Sequence, residues 1–361
     1  MVRQLSGILR PVGGTERRAF RWMLILLALL ALAVVVAVFA ISTGPSNVGP
    51  DKVVLILLSK VPVLGDQIAK TWSPGDESIV LVIRLPRVLL GLLVGASLGL
   101  AGVTAQGIFK NPMADPYILG ISSGAAMGAS LVILVGVSAG LLAYGIVGGA
   151  FAGALLGAFI VFNIARTHNK FPVETLLLSG IAVSAFFSAV TYFLMYVSGH
   201  KLNQIVFWVM GALWNASWED VLILAPFLLV GAGVIYAFAR DLNLMLLGEE
   251  SAAHLGTDVA KVKTVLLVAS SLLAAAAVSV SGIIGFVGLI IPHMMRLILG
   301  PDHRVLIPAS LLAGAMFLTL ADTFARMVMQ PTEMPVGIVT AVIGAPFFIY
   351  LLARKKRKVT G

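Results

Sequence analysis

The sequence contains no cysteine, which excludes disulfides, thiolate metal ligands and thiol nucleophiles together. Charge is scarce too. Charged residues occupy 11% of the 361 positions and hydrophobic residues 59%, whereas a soluble chain of this length needs far more polar surface. A Gly-x-x-x-x-Gly-Lys-[Ser/Thr] phosphate loop is missing, because no lysine follows a glycine anywhere. Any ATP hydrolysis must then take place on another chain. The five histidines (His168, His200, His254, His293 and His303) are scattered and form no His-x-x-x-His pair. Nor is a nucleophile–histidine–acid arrangement visible, so neither a metal site nor an enzyme is expected.

What the sequence does have is long apolar runs, several of them reaching the roughly 20 residues that cross a bilayer as a helix. Barrel strands would read as short alternating segments, so the spans are helical. Ten helices are predicted, near 22–41, 88–108, 118–136, 141–164, 175–197, 219–239, 264–282, 285–299, 305–328 and 335–352. The expectation is an all-α polytopic membrane protein forming one transmembrane domain over residues 1–361. Its first span follows a basic segment, 1–21, and lacks a small-x-small cleavage site, so it reads as a retained helix and not a signal peptide. The eighth span is short and follows Gly282 and Gly285, which predicts a tilted or partly unwound helix.

Lys and Arg orient these spans. With the N-terminus inside, 18 of the 25 basic residues fall in cytoplasmic segments, including Lys110, Arg166, Lys170 and the 353–361 tail. Both termini are then cytoplasmic in a multi-pass protein of the cytoplasmic (inner) membrane. The net charge of +9 is a topology signal and not a nucleic-acid footprint. Segment 42–87 becomes an external cap, and 242–263 a cytoplasmic loop. Within the spans, Asp322 and Arg326 sit four apart. They read either as an ion site of an ion-coupled secondary transporter or as a structural i,i+4 pair.

The stretch Phe109–Gly128, FKNPMADPYILGISSGAAMG, breaks sharply between two apolar runs. Pro112 and Pro116 lack a donor and disfavour a helical residue before them, while Asn111 and Asp115 bond nearby backbone to tighten the turn. The small residues that follow allow close helix approach. An ordinary tight connection and the floor of a passage both fit this pattern.

The segment from Ile83, IRLPRVLLGLLVGASLGLAGVTAQG, runs into that stretch. Together with LNLMLLGEESAAHLG (242–256), SGIIGFVGLIIPHMMRLILGPDHRVLIP (281–308) and MPVGIVTAVIGAPFFIYLL (334–352), it resembles the FecCD-type permease subunits of ABC importers for iron–siderophore, haem and cobalamin. The resemblance covers about residues 79–352. It implies a homodimer or close heterodimer of permeases in the lipid bilayer, two ATP-binding subunits carrying ATP and Mg, and an extracytoplasmic substrate-binding protein. No cofactor is expected in this chain, and no nucleic acid.

By that resemblance Gly248, Glu249, Glu250, Ser251, Ala252, Ala253, His254, Leu255 and Gly256 form the segment that engages the ATPase. Arg84, Arg87 and Arg326 dock carboxylates of the binding protein, a role that suits the planar guanidinium fork. Asn111 and Met113 match an inner gate, with Val173 and Glu174 approximating a second. Glu174 departs from the small polar residue expected there. The cargo implied is a bulky metal chelate, with iron–siderophore ranked before cobalamin or haem.

Overall fold

The computed structural model describes residues 13–46, 48–62, 65–136, 142–166 and 171–359. Arg3, Arg10, position 141, Lys170 and the last two residues of the 353–361 tail lie outside them. Among the described residues every regular element is helical. Seven helices are long and apolar enough to cross a membrane, and three shorter apolar ones, Ile121–Val135, Val287–Leu299 and Val336–Tyr350, fall where the third, eighth and tenth spans were expected.

The chain opens with α1 (Gly13–Ser42) and then enters the 42–87 segment. That segment is not a plain loop. It carries α2 (Pro50–Leu58) and α3 (Pro74–Ser78), the latter started by a capping box between Ser73 and Asp76. Val48, Val53, Ile56 and Trp72 bury against Ala40 and Ile41 of α1 and against Val80 and Val88. The cap therefore has its own small core, sealed onto the ends of two long helices. From α3 the backbone widens to i→i+5 bonding over Ile79–Arg84, with the Leu85 amide on the Val80 carbonyl, and continues as α4 (Leu85–Ile108). Pro86 in the first turn of α4 explains the wide turn, since it can neither donate nor tolerate a regular preceding turn.

After a 3-10 turn at Pro116–Leu119 come α5 (Ile121–Val135), α6 (Leu142–Ala165), α7 (Val173–Val197) and the short α8 (Leu202–Val209). Next are α9 (Trp218–Ala237), two further short helices α10 (Ala239–Met245) and α11 (Glu249–His254), and α12 (Val259–Ser281). The last three are α13 (Val287–Leu299), α14 (His303–Met327) and α15 (Val336–Val359). Prolines stand inside α9, α13, α14 and α15. Apolar membrane helices tolerate them because neighbouring groups satisfy the freed carbonyls.

The bundle has a centre and a periphery. In the most apolar stretch of each helix, 72% of residues are buried in α14, 67% in α12 and 56% in α4, against 22% in α1. Contact at the centre is backbone to backbone. A Cβ on Gly95 would run into the Gly314 carbonyl and one on Gly99 into that of Ser310, joining α4 to α14. Gly124 and Gly128 meet Gly153 and Gly149 the same way, joining α5 to α6. Without a hydrophobic driving force between helices in lipid, such close packing holds them together.

The unwound stretch expected near Gly282 is present. The backbone leaves α12 with φ 68° at Gly282 and enters α13 through Phe286 at φ 69°.

Candidate functional site

The turn after α4 is compact for the reason its sequence suggests. Asn111 Oδ1 accepts the Met113 amide at 3.0 Å, and Asp115 Oδ1 accepts the Tyr117 amide at 2.8 Å. The turn does not stay at the surface. Its Pro116–Leu119 part enters the core, where the Tyr117 hydroxyl donates to the Ile284 carbonyl at 3.1 Å and Gln106 Nε2 donates to the Leu289 carbonyl at 3.0 Å. Two helix breaks, separated by more than a hundred residues, thus satisfy each other. Burial pushes the Asp115 carboxyl up to about 6, opposed by its bond from the Tyr117 amide. Burial, reinforced by Asp115, also pushes the Tyr117 phenol up.

Asn111 is exposed and Met113 half-buried. Val173 is half-buried and Glu174 exposed in the first turn of α7, two turns before Gly180, which packs on the Ile118 carbonyl. The four residues therefore share one end of the bundle, with α7 anchored on the turn through Ile118.

At the same end α10 and α11 make a short helical elbow. α11 ends in a Schellman motif, with the Thr257 amide on the Ala252 carbonyl and the Gly256 amide on that of Ala253, both at 3.0 Å. Gly256 holds φ 91°, a conformation that glycine adopts freely. Lys263 Nζ of α12 bonds Glu249 Oε1 at 2.7 Å, and Thr257 Oγ1 bonds Asp241 Oδ1 at 3.0 Å. α10 buries Ala239, Leu242 and Met245, and of residues 248–257 only Ala252 and Thr257 are buried. Glu250, Ser251, Ala253, His254 and two leucines, Leu247 at 67% and Leu255 at 57%, are exposed. A fixed elbow with apolar residues turned outward, beyond the apolar spans, is a surface suited to a partner protein.

The elbow is tied to the centre by a contact not legible in the sequence. Asn243 of α10 donates from Nδ2 to Asp302 Oδ1 at 2.8 Å, while its Oδ1 accepts the His303 amide at 2.8 Å and faces His303 Nδ1 at 2.9 Å. Because Asn Oδ1 only accepts, the imidazole proton sits on Nδ1. His303 is fully buried, and its Nε2 stands where a Cβ on Gly107 of α4 would be 2.9 Å away. α10, α14 and the end of α4 meet at this histidine. Asp302 can be recognised from the sequence as a helix cap after Gly300-Pro301, but its pairing with a residue 59 positions earlier cannot.

The opposite end is built differently. Arg87 makes two bonds to Asp322, from Nε to Oδ2 at 3.0 Å and from Nη2 to Oδ1 at 2.9 Å, and Nη1 reaches Glu333 Oε2 at 2.8 Å. Arg326 pairs with Asp322 at 3.3 Å and donates to the Ala40 carbonyl at 3.1 Å. Arg84 donates to the carbonyls of Ile41, Ser42 and Ser46. The C-terminal carbonyls of α1 are thus capped by two arginines from other helices, which also suits the helix dipole. Arg84, Arg87 and Arg326, expected to dock carboxylates of a binding protein, are only 3%, 8% and 3% exposed. The physical reason is that each finds acceptors inside the fold: Arg84 at the end of α1 and Ser46, Arg87 at Asp322 and Glu333, and Arg326 at Asp322 and the end of α1. Asp322, the candidate ion ligand, is held between two guanidinium groups.

Comparison with known proteins accords with this architecture. Residues 29–354 match the FecCD transport family. The chain is 52% identical over 276 residues to the cobalamin import system permease protein BtuC of Halobacterium salinarum, covering 76% of this chain and 73% of that one. It is 40% identical over 287 residues to the hemin transport system permease protein HmuU of Yersinia pestis, covering 78% and 85%. A solved structure described as an inward-facing metal-chelate type ABC transporter superposes with a TM-score of 0.78 at 34% identity, over 91% of this chain and 99% of that one. A buried helical centre, a capped elbow beyond the spans and a match running almost end to end have one reading: this chain is a polytopic membrane protein of the FecCD transport family.

Proposed function

We propose that this chain is the membrane-spanning permease subunit of a binding-protein-dependent ABC importer for metal chelates. Two copies would enclose the passage, with two ATPase subunits below and a substrate-binding protein above. With ten crossings, the 18-to-7 bias of basic residues supports the orientation that puts the elbow and both termini on the cytoplasmic side.

The observation that carries this reading is the α10–α11 elbow. Its exposed Leu247 and Leu255 offer a foothold, and its inner side is bonded through Asn243 to α14 and, by packing, to α4. Motion imposed on the elbow by ATP binding would therefore reach the turn that bears Asn111 and Met113. Asp322 is engaged by Arg87 and Arg326, which argues against its use as an ion ligand in a secondary carrier. The buried arginines support a scaffolding part in docking. They fix the ends of α1, α4 and α14 behind the surface that the binding protein would meet.

Among cargoes, the similarity to a cobalamin permease at 52% identity, against 40% for a haem permease and 38% for an iron–citrate permease, supports a corrinoid ahead of an iron chelate. This reverses the order expected above, which the motifs, shared by all three cargo classes, did not decide.

The deciding experiment uses the complete transporter in proteoliposomes, with binding protein and ATP supplied. Leu247→Glu with Leu255→Glu is expected to lose ATPase co-purification and cobalamin uptake, while the thermal midpoint of the permease stays within a few degrees. Undiminished co-purification and uptake in that variant would refute the elbow's role.

A further inference from the structure

A cavity of about 820 Å³, separate from the elbow, opens at the arginine end between α5, α6, α8, α9 and the last turn of α12. Its wall carries the rings of Tyr144, Phe207, Trp208 and Trp214 and the carboxylates of Glu219 and Asp220. Phe207 and Trp214 lock edge to face with centroids 5.4 Å apart. Glu219 acts on the Tyr144 hydroxyl, and Ser217 holds Asp220 Oδ2 through its amide at 3.0 Å and its hydroxyl at 2.8 Å. The aromatic and acidic groups are therefore positioned before any ligand arrives.

The electrostatics have one sign. Among the described residues no lysine, arginine or histidine lines the wall. Lys201, just before α8, directs Nζ at the Leu134 carbonyl at 3.1 Å. α12 ends in the wall at Ser281 and Gly282, bringing its negative pole there. The N-terminus of α9 brings about half a positive charge, outweighed by Glu219 and Asp220 in its own first turn.

We propose that this cavity binds an organic ammonium group. Aromatic faces attract such a cation within about 6 Å, and the two carboxylates supply the counter-charge. The volume falls in the range of small-molecule sites, about 300–1,000 Å³, so the substituents on the nitrogen are accommodated too. The same chemistry is offered by the headgroup of phosphatidylethanolamine and by a soluble organic cation. Neither ATPase coupling nor the identity of the cargo enters this inference.

The test is calorimetric titration of tetraethylammonium into the full chain in dodecyl maltoside, whose micelles carry no amine. Saturable binding is expected. Glu219→Gln and Trp214→Leu should each weaken it at least tenfold, and Trp214→Phe should retain it. Repeating the titration with added phosphatidylethanolamine or phosphatidylglycerol distinguishes the sources. A loss of affinity specific to the ethanolamine lipid identifies a headgroup site, and unchanged affinity identifies a site for a soluble cation. Absence of saturable binding to the wild-type chain, or wild-type affinity in both Glu219→Gln and Trp214→Leu, overturns the proposal.

Discussion

The two ends of this helical bundle are held by different physics. At one end five charged side chains, Arg84, Arg87, Asp322, Arg326 and Glu333, tie α1, α4, α14 and the approach to α15 together, four of them almost wholly buried. At the other, short helices are held by local backbone bonds, by Asn243, and by two partly exposed ion pairs, Lys263–Glu249 and Arg18–Asp302. Buried charges cannot separate without a large penalty, so the first end is rigid. Capped turns and a neutral Asn–His contact cost about 1 kcal/mol each to break, so the second end can rearrange. The push at the elbow proposed above would need this division between a fixed end and a movable one.

The contrast is broken most severely at Asp322. Asp322→Ala leaves Arg87 and Arg326 buried without their shared carboxylate and is expected to cost about 3–5 kcal/mol. The check is the thermal midpoint and folded yield in detergent; a variant as stable as the parent would show that the first end is not a lock. Next comes the centre shared by both ends. Gly314→Ala would press a methyl group into the Gly95 carbonyl and is expected to cost about 1–3 kcal/mol, read from the same melting curve.

Lesions at the elbow should be milder. Lys263→Met removes the bond to Glu249, whose side chain is 47% exposed, so about 1 kcal/mol or less is expected. A larger loss would place the elbow within the rigid core.

A further effect is a slope with pH. The Asp115 carboxyl is raised from its ordinary 3.8 to about 6, so the folded chain keeps this proton after the unfolded chain has released it. Its contribution is full below about pH 4 and is lost as pH rises through about 6. Asp115→Asn should flatten that part of the stability curve, and melting curves from pH 4 to 7 would show it.

Much of this was legible along the chain. Apolar runs located the long helices, most of their ends to within a few residues, because a bilayer favours backbone paired within its own helix, and Gly282 and Gly285 marked the unwound entry to α13. Asn111 and Asp115 announced a compact turn because their bonds are local. The elbow was visible as GEESAAHLG because a helix stop by glycine is also a local device. The burial of Arg84 and Arg87 was not legible, because their acceptors lie far along the chain, at the end of α1, on α14 and at Glu333. α8 was missed because eight apolar residues between two longer spans are too short a run to be told from a span end.

The sequence by itself determined the solvent, the helices and the places where they stop, since each depends on residues close together in the chain. Only the tertiary structure decided which groups face inward. Arg87 finds Asp322 across 235 positions and Asn243 finds His303 across 60, and burial of a polar side chain is settled by the partner it meets there.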